Sequence, residues 1–332
     1  MFSIISNNVN AAFNLAGIID IIKSQNFDIL LLQEVIQNTE ELSILVNRHN
    51  YKAYCSLIGD ERPGVGIIFK SNIICEEMLA LQPGRILYAR FREFSIINIY
   101  ANSGNPGRLE RNIMFSETLP RNLKPRNILP IIMGDFNCII NACDTTENYV
   151  QKQCIPLKDL VNLFKYKDSF NHVNPGIQEY TYHRRGVAPS RLDRAYIPEH
   201  LVGELEEAYH QATLSDHRAI VVKLNRIYSP PIQRKESPYW KLNVSILNHR
   251  DFIPGFVNVW GKLLTQEISF PSADIWWETL VKPELKRFLI QFSSMRSKER
   301  RSQKSFLFAG LDQELASGNF NEVNNIRVKL KV

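Results

Sequence analysis

The sequence predicts an α/β fold in which β-sheets pack on one another with helices outside. Three observations predict it. Apolar runs of strand length recur between positions 1 and 225. Segments with helical spacing lie between them. The two do not alternate strictly, so antiparallel strand pairs are expected beside parallel ones.

Taken in order, residues 2–9 begin as a short buried strand and turn polar at the end. Phe13, Ala16, Ile18, Ile19 and Ile22 follow helical spacing, which predicts a helix over 12–24. Asp28 to Glu34 reads as a fully buried strand whose apolar run stops at Gln33-Glu34. Glu40 to His49 reads as a helix, and Tyr51–Ser56 and Val65–Lys70 as strands around a turn with Gly and Pro. Strands follow at Ile86–Phe91, Phe94–Tyr100 and Ile128–Met133, with a helix from Gly107 to about Leu119 before the last. Leu157–Phe164 is helical; Tyr180–His183, Arg191–Ile197 and Ala219–Leu224 are short strands. Ser229-Pro230-Pro231 and the polar run to Pro238 mark a boundary. The expected organisation is therefore a catalytic domain over 1–225, a linker over 226–238 and an extension over 239–332, with helices around 249–265, 272–310 and 311–330.

The 332 residues, 44% hydrophobic and 22% charged, are an ordinary globular mixture. The longest aliphatic run, Ile29 to Leu32, is far too short to span a bilayer, and no signal peptide is read at the start. Five dispersed cysteines without a C-x-x-C pair suggest buried free thiols, neither a zinc site nor a disulfide framework. The net charge of +6 is unevenly spread: residues 226–332 carry 17 Lys+Arg against 10 Asp+Glu. The stretch over 1–225 is close to neutral, so any grip on nucleic acid there must come from a local patch.

Strands that end in polar residues carry the chemical signal. Asn8, Glu34, Tyr100, Asp135-Phe136-Asn137 and Asp193 each follow an apolar run, and Ser215-Asp216-His217 stands just before one. Strand ends meet along one edge of a sheet, so these groups can converge. Phosphodiester hydrolysis needs such a set. A hard cation polarises the phosphate, and Glu34, with Asn8 beside it, is the best ligand candidate. A base must activate water, and His217 suits this near neutral pH, with Asp193 to fix its tautomer and orientation. Asn137 and Tyr100 can donate to phosphate oxygens, and Asp135 can position the nucleophile or leaving group. Arg184, Arg185, Arg191 and Arg194 cluster in sequence around this set and are expected to contact phosphates.

Asn8-Val9-Asn10, Gln33-Glu34, Gly134-Asp135-Phe136-Asn137, Ser190-Arg191-Leu192-Asp193 and Ser215-Asp216-His217 resemble, in that order, the endonuclease/exonuclease/phosphatase superfamily. The resemblance covers about residues 1–225; Gly-Asp-Phe-Asn with Ser-Asp-His is its specific part. It implies a four-layered α/β sandwich of two mixed sheets. It implies Mg2+, with Mn2+ as a substitute, on Glu34. It pairs His217 with Asp193, sets Asp216 by the metal or phosphate, and puts Asp135 and Asn137 beside the scissile phosphate. The family often reads Tyr-x-Pro-Asn after the third site strand; here Tyr100-Ala101-Asn102-Ser103-Gly104 lacks the Pro.

Ser190 to Arg194 and Thr181-Tyr182 look most like the nucleases encoded by LINE-type non-LTR retrotransposons, relatives of apurinic/apyrimidinic endonucleases. That resemblance implies a DNA partner, contacted by Arg191, Arg194, Asn10 and Thr181, and action in the nucleus. Tyr239 to Asn243, Trp276-Trp277 and the basic run Met295–Ser305 resemble the segment joining nuclease to reverse transcriptase, which implies element RNA and a polymerase domain as further partners and no membrane. Because one fold serves many substrates, an RNase or phosphatase of the same superfamily, or an inactive nucleic-acid-binding remnant, are the alternatives.

Overall fold

The computed structural model describes residues 1–10, 15–59, 62–147, 153–225, 242 and 244–331. The expected linker over 226–238, and Tyr239 to Asn243 apart from Leu242, lie outside the described residues. In chain order the elements begin β1 (Phe2–Asn8), α1 (Leu15–Ser24), β2 (Ile29–Val35), α2 (Thr39–Asn47), β3 (Tyr51–Ile58) and β4 (Arg62–Lys70). Then come β5 (Cys75–Gln82), β6 (Ile86–Phe91), β7 (Ser95–Tyr100), α3 (Arg108–Ile113), a π-helical turn (Met114–Thr118), α4 (Leu119–Leu123) and β8 (Ile131–Asp135). The strands close with α5 (Ile155–Leu163), β9 (Lys167–Asp168), α6 (Ser169–Val173), β10 (Asp193–Ile197), β11 (Leu205–Gln211) and β12 (Ala219–Leu224).

Two six-stranded sheets form, ordered β11-β12-β1-β2-β4-β3 and β5-β6-β7-β8-β10-β9. Each holds one parallel pair, β1 with β2 and β7 with β8, among antiparallel ones. The strands nearest the middle are buried on both faces, which is why Ile29 to Leu32 read as one apolar run. Ile4, Leu31 and Ile67 of the first sheet pack on Leu87, Ile96 and Met133 of the second. The outer face of the first sheet is covered by α1 and α2 through Ile18, Leu42 and Val46, and that of the second by Phe115, Leu119 and Leu157. This is the four-layered sandwich.

A polar cluster interrupts the apolar interface between the sheets. The Gln33 amide donates to Ser6 Oγ at 3.0 Å and to Asn98 Oδ1 at 2.6 Å. Asn98 Nδ2 lies 2.9 Å from both the Leu32 and Gly66 carbonyls. Gly134, next to the end of β8, has φ +143° and presses on β7. A Cβ there would lie 2.0 Å from the Ile99 carbonyl oxygen.

Several expectations need correction. β5 and β11 are absent from the sequence reading because both are half-exposed edge strands that open with a Glu pair. Tyr180–His183 is no strand; Tyr182 makes only isolated bridges to Ser190 and His217. The last two helices break at Gly318, at φ +73°, and not between 310 and 311.

By their internal packing, Met1–Ile232 with Phe308–Val332 form one compact unit, and Gln233–Leu307 form a second. In the second unit α7 (Phe252–Leu264) and α8 (Ala273–Trp276) are followed by a π-helical turn (Trp277–Val281) and α9 (Lys282–Ser317), whose residues from Phe308 on belong to the first. Phe252 and Phe292 make one small core of the second unit; Leu263, Trp276 and Val281 make another. The Trp276 indole N–H donates to the Leu263 carbonyl, so Trp276 is a core residue. The chain closes with α10 (Phe320–Lys331).

Candidate active site

Strand direction assembles the site. β1, β2, β7 and β8 deliver their C-terminal ends to one edge, and β10 and β12, running antiparallel, deliver their N-terminal ends to it. Asn8 stands opposite Gln33, Tyr100 opposite Asp135, and Asp135 opposite Asp193. Side chains then bond across the two sheets. Asn8 Nδ2 donates to Asp135 Oδ2 at 2.9 Å and to Glu34 Oε1 at 3.2 Å; Tyr100 Oη donates to Glu34 Oε1 at 3.2 Å.

Of five non-glycine residues with positive φ among those described, three surround this edge: Asn10 (49°), Glu34 (60°) and Asn137 (49°). Asn tolerates the left-handed region; a Glu in a strand is strained there. The β2–β4 register shifts between Gln33 and Val35, so Glu34 is a bulge residue turned out of the strand's alternation toward the other site groups. Asn137 wraps Asp135: its N–H donates to Oδ1 at 2.8 Å, while its amide reaches Oδ2 at 3.0 Å and the Ala101 carbonyl at 2.8 Å.

His217 Nδ1 and Asp193 Oδ2 are 2.8 Å apart, which fixes the proton on Nδ1 and leaves Nε2 for the cavity. Burial opposes charge on the ring, but the charge and hydrogen bond of Asp193, with Asp135 and Asp216 behind them, carry it up to about 10. Asp135 is fully buried; burial first, then the Asp193 charge, push it up to about 7 against the pull of His217 and the donated N–H bonds. Burial and the Glu34 charge push Tyr100 up to about 12, so its hydroxyl stays a donor. Asp216 accepts from Asn10 Nδ2 at 2.7 Å, and Asn10 N–H donates to Asn8 Oδ1 at 2.8 Å, so hydrogen bonds run from Glu34 through Asn8 and Asn10 to Asp216.

A cavity of about 550 Å³ opens over these groups, lined among others by Glu34, Asp135, Asn137, Asp216 and His217. Arg108 and Arg184 stand in its wall, Arg184 as expected and Arg108 unforeseen, since it lies in the unremarkable start of α3. The Tyr182 ring packs at a tilt against His217, with centroids 4.9 Å apart.

Three sequence-predicted contacts are overturned by burial. Arg191 and Arg194 cannot touch DNA: they are 4% and 1% exposed and point at Asp144, Nε of the first and Nη2 of the second each 2.9 Å from a carboxylate oxygen. Arg191 also pairs with Asp168, and Arg194 donates to the Cys138 carbonyl. Thr181 is wholly buried, and its hydroxyl accepts the N–H groups of Leu192 and Asp193, which seats Asp193. Asn8 turns its NH2, not its oxygen, to Glu34 and Asp135, because Asn10 N–H occupies the oxygen; it orients carboxylates where metal ligation was expected. Asp144 was missed. A lone Asp in a turn carries no signal until its two Arg partners, 47 and 50 residues on, fold against it.

Residues 11–217 match the model of the Endonuclease/Exonuclease/phosphatase family. The chain belongs to that family. Endonuclease/exonuclease/phosphatase members are hydrolytic nucleases and phosphatases. Over 314 residues, 90% of this chain, it is 25% identical to the Transposon TX1 uncharacterized 149 kDa protein of Xenopus laevis, of which it spans 23%. An AP endonuclease from Archaeoglobus fulgidus superposes with a TM-score of 0.61 at 19% identity, covering 68% of this chain and all of its own. A 3′ phosphatase, NExo, from Neisseria, solved with a product DNA hairpin, gives 0.59 at 18%, with the same coverages. At these identities the two structures show the fold.

The donor chemistry fits the divalent metal that members of this family typically use. Glu34 and Asp216 each engage one oxygen in hydrogen bonds among the described residues and keep the other for the cavity, an oxygen set suited to a hard cation. Asp135, Asp193 and His217 also bring one donor atom each within 4.8 Å of one another. That trio's atoms are already bound to each other or to Asn8 and Asn137, so a cation there would have to displace hydrogen bonds.

Proposed function

We propose that this chain is a divalent-metal-dependent endonuclease that hydrolyses DNA phosphodiester bonds by nicking and leaves a 3′-hydroxyl. It would act as part of, or derived from, a non-LTR retrotransposon, in the nucleus, alongside element RNA and a reverse transcriptase in a longer polyprotein. One observation carries the catalytic reading. Two carboxylates with a free oxygen, Glu34 and Asp216, share a cavity with an imidazole held by Asp193. The transposon relative, aligned over 90% of this chain, supports the biological setting.

In this reading Glu34 and Asp216 would hold Mg2+ or Mn2+, which would supply polarisation of the phosphate and charge neutralisation at the leaving oxygen. The protein's own groups do the rest. Asn137 and Tyr100 face the same edge as Asp135 and keep the phosphate oriented. Asp135, raised toward neutral pH, takes the proton of the attacking water. His217, raised well above its ordinary value, presents Nε2–H to a phosphate oxygen. Arg184, at the cavity rim, supplies charge to the DNA backbone.

The test is nicking of supercoiled plasmid by the full chain with Mg2+ or with EDTA, beside a folded His217→Ala. Relaxation that needs both the metal and His217 is expected. Release of a terminal 3′-phosphate without nicking would make it a phosphatase instead. No turnover of any phosphoester by folded protein would leave a nucleic-acid-binding remnant.

A further inference from the structure

The Ser-Asp-His segment carries two of the proposed catalytic groups, yet it is a loop, and loops need anchors. Part of the anchoring is internal. Thr213 Oγ1 donates to the His217 carbonyl at 2.5 Å and accepts Ser215 N–H at 3.2 Å; Ser215 Oγ accepts His217 N–H at 3.1 Å. The remainder comes from the end of the chain. Arg327, on α10, donates through Nη2 to the Ser215 carbonyl. Asp312, in the final turns of α9, lies 2.8 Å from Arg218 Nη2. The loop is thus held at Ser215 and at Arg218 by residues about a hundred positions away.

This contact is built, not incidental. Leu311 and Leu315 line one face of α9, and Val323, Ile326 and Leu330 line one face of α10, at three- and four-residue spacing. Gly310 admits Ile326 at 3.6 Å from where its Cβ would be, so the two helices cross closely. Asn319 N–H bonds the Glu314 carbonyl and Gly318 N–H that of Leu315, closing the turn between them. The Arg327 guanidinium is shielded enough that its Nε has no partner among the described residues. A half-buried guanidinium aimed at one carbonyl next to the catalytic pair costs some desolvation that a merely packed helix would avoid.

We propose that the helical hairpin over 308–331 is a part of the nuclease itself, and that Arg327 is a positioning residue that fixes the 215–217 loop. This rests on the nuclease reading for its consequence on rate, but not for its consequence on loop order. The active unit would then not end at Asn225, and a protein cut in the linker would lack one side of its active-site scaffold.

The test uses the full chain with Arg327→Met, which keeps the alkyl stem and removes the donors, and Arg327→Lys as the conservative variant. Hydrogen–deuterium exchange read by mass spectrometry follows residues 212–218, with β2 as internal reference. Arg327→Met should raise exchange in that segment about tenfold with β2 unchanged, and Lys should restore part of the protection. In nicking assays kcat should fall about tenfold while KM stays within twofold, as expected for a misplaced group that does not touch substrate. Unchanged exchange at 212–218 in a folded Met variant overturns the proposal. Should Met unfold the protein, Asp312→Asn, at the other flank, must raise exchange in the same segment or the proposal falls. If the parent does not nick DNA at all, the nuclease reading fails while the exchange result still decides the clamp.

Discussion

Asp144→Asn removes one negative charge from a point where two guanidinium groups and two backbone N–H groups converge. Its side chain is wholly inaccessible, as is that of Arg194, and Arg191 is nearly so. Breaking a buried ion pair typically costs about 3–5 kcal/mol, because the surviving charge is left unpaired. Arg191 keeps Asp168 as a second partner, whereas Arg194 loses its only carboxylate contact among the described residues, so the lower end, about 3 kcal/mol, is expected. The pH dependence gives an independent handle. Burial favours the neutral acid, but Arg194, Arg191 and the Ile140 and Asn141 N–H groups outweigh it and bring Asp144 from 3.8 down to about 2. A depressed carboxylate contributes stability that is full above its unfolded pKa and is lost as pH falls through the folded one, here on the order of 2 kcal/mol. Urea unfolding followed by far-UV circular dichroism measures it; all four tryptophans fall within Gln233–Leu307, so their fluorescence would report the wrong unit. The gap between parent and variant should be widest near neutral pH and narrow between about pH 4 and pH 2, where the parent's own carboxyl becomes neutral. A loss under about 1 kcal/mol, or a gap that stays constant with pH, would refute the assignment of Asp144 as the charge that organises this corner.

Two further outcomes follow from the geometry. Asp193→Asn should leave the circular dichroism spectrum intact and lower kcat by about 10²–10⁴, since an amide lacks the charge that keeps His217 protonated and its Nε2–H toward the phosphate; activity within threefold of the parent would remove Asp193 from the mechanism. Gly134→Ala should cost more than about 3 kcal/mol and lower the yield of folded protein. The reason is that φ +143° and the 2.0 Å approach to Ile99 leave no room for a methyl group. A variant as stable as the parent by thermal melting would contradict the close packing of β7 and β8.

The sequence was most legible where burial is two-sided or where polarity changes abruptly. β1, β2, β7 and β8 announced themselves as apolar runs, and their polar ends pointed to Asn8, Glu34, Tyr100 and Asp135, which the structure gathers at one edge. Two of the edge strands were illegible for the same reason: β5 and β11 bury too little to need an apolar run and use Glu pairs against further pairing, whereas the edge strand β3 was read. Positive charge misled. Arg191 and Arg194 look identical in sequence to surface arginines, and only the arrival of Asp144 beside them reveals a buried ionic cluster. Asn8 shows a finer limit, since an amide can present either end, and which end faces the carboxylates is set by Asn10 two residues on. The hold of Arg327 on Ser215 is also invisible, because nothing local marks a partner 112 positions away.

The polar cluster between the sheets has a consequence for alignment. Asn8 and Glu34 ride on one sheet, Tyr100, Asp135 and Asn137 on the other, so the chemistry depends on two rafts staying in step. A purely apolar interface is tolerant: greasy side chains can exchange neighbours as the layers creep past each other. Gln33, Ser6 and Asn98 remove that freedom just below the site. A shift of one residue would strand their amides among aliphatic groups, at roughly 1–3 kcal/mol for each unmatched group. The cluster works as a keyway that lets the two halves seat in one position only.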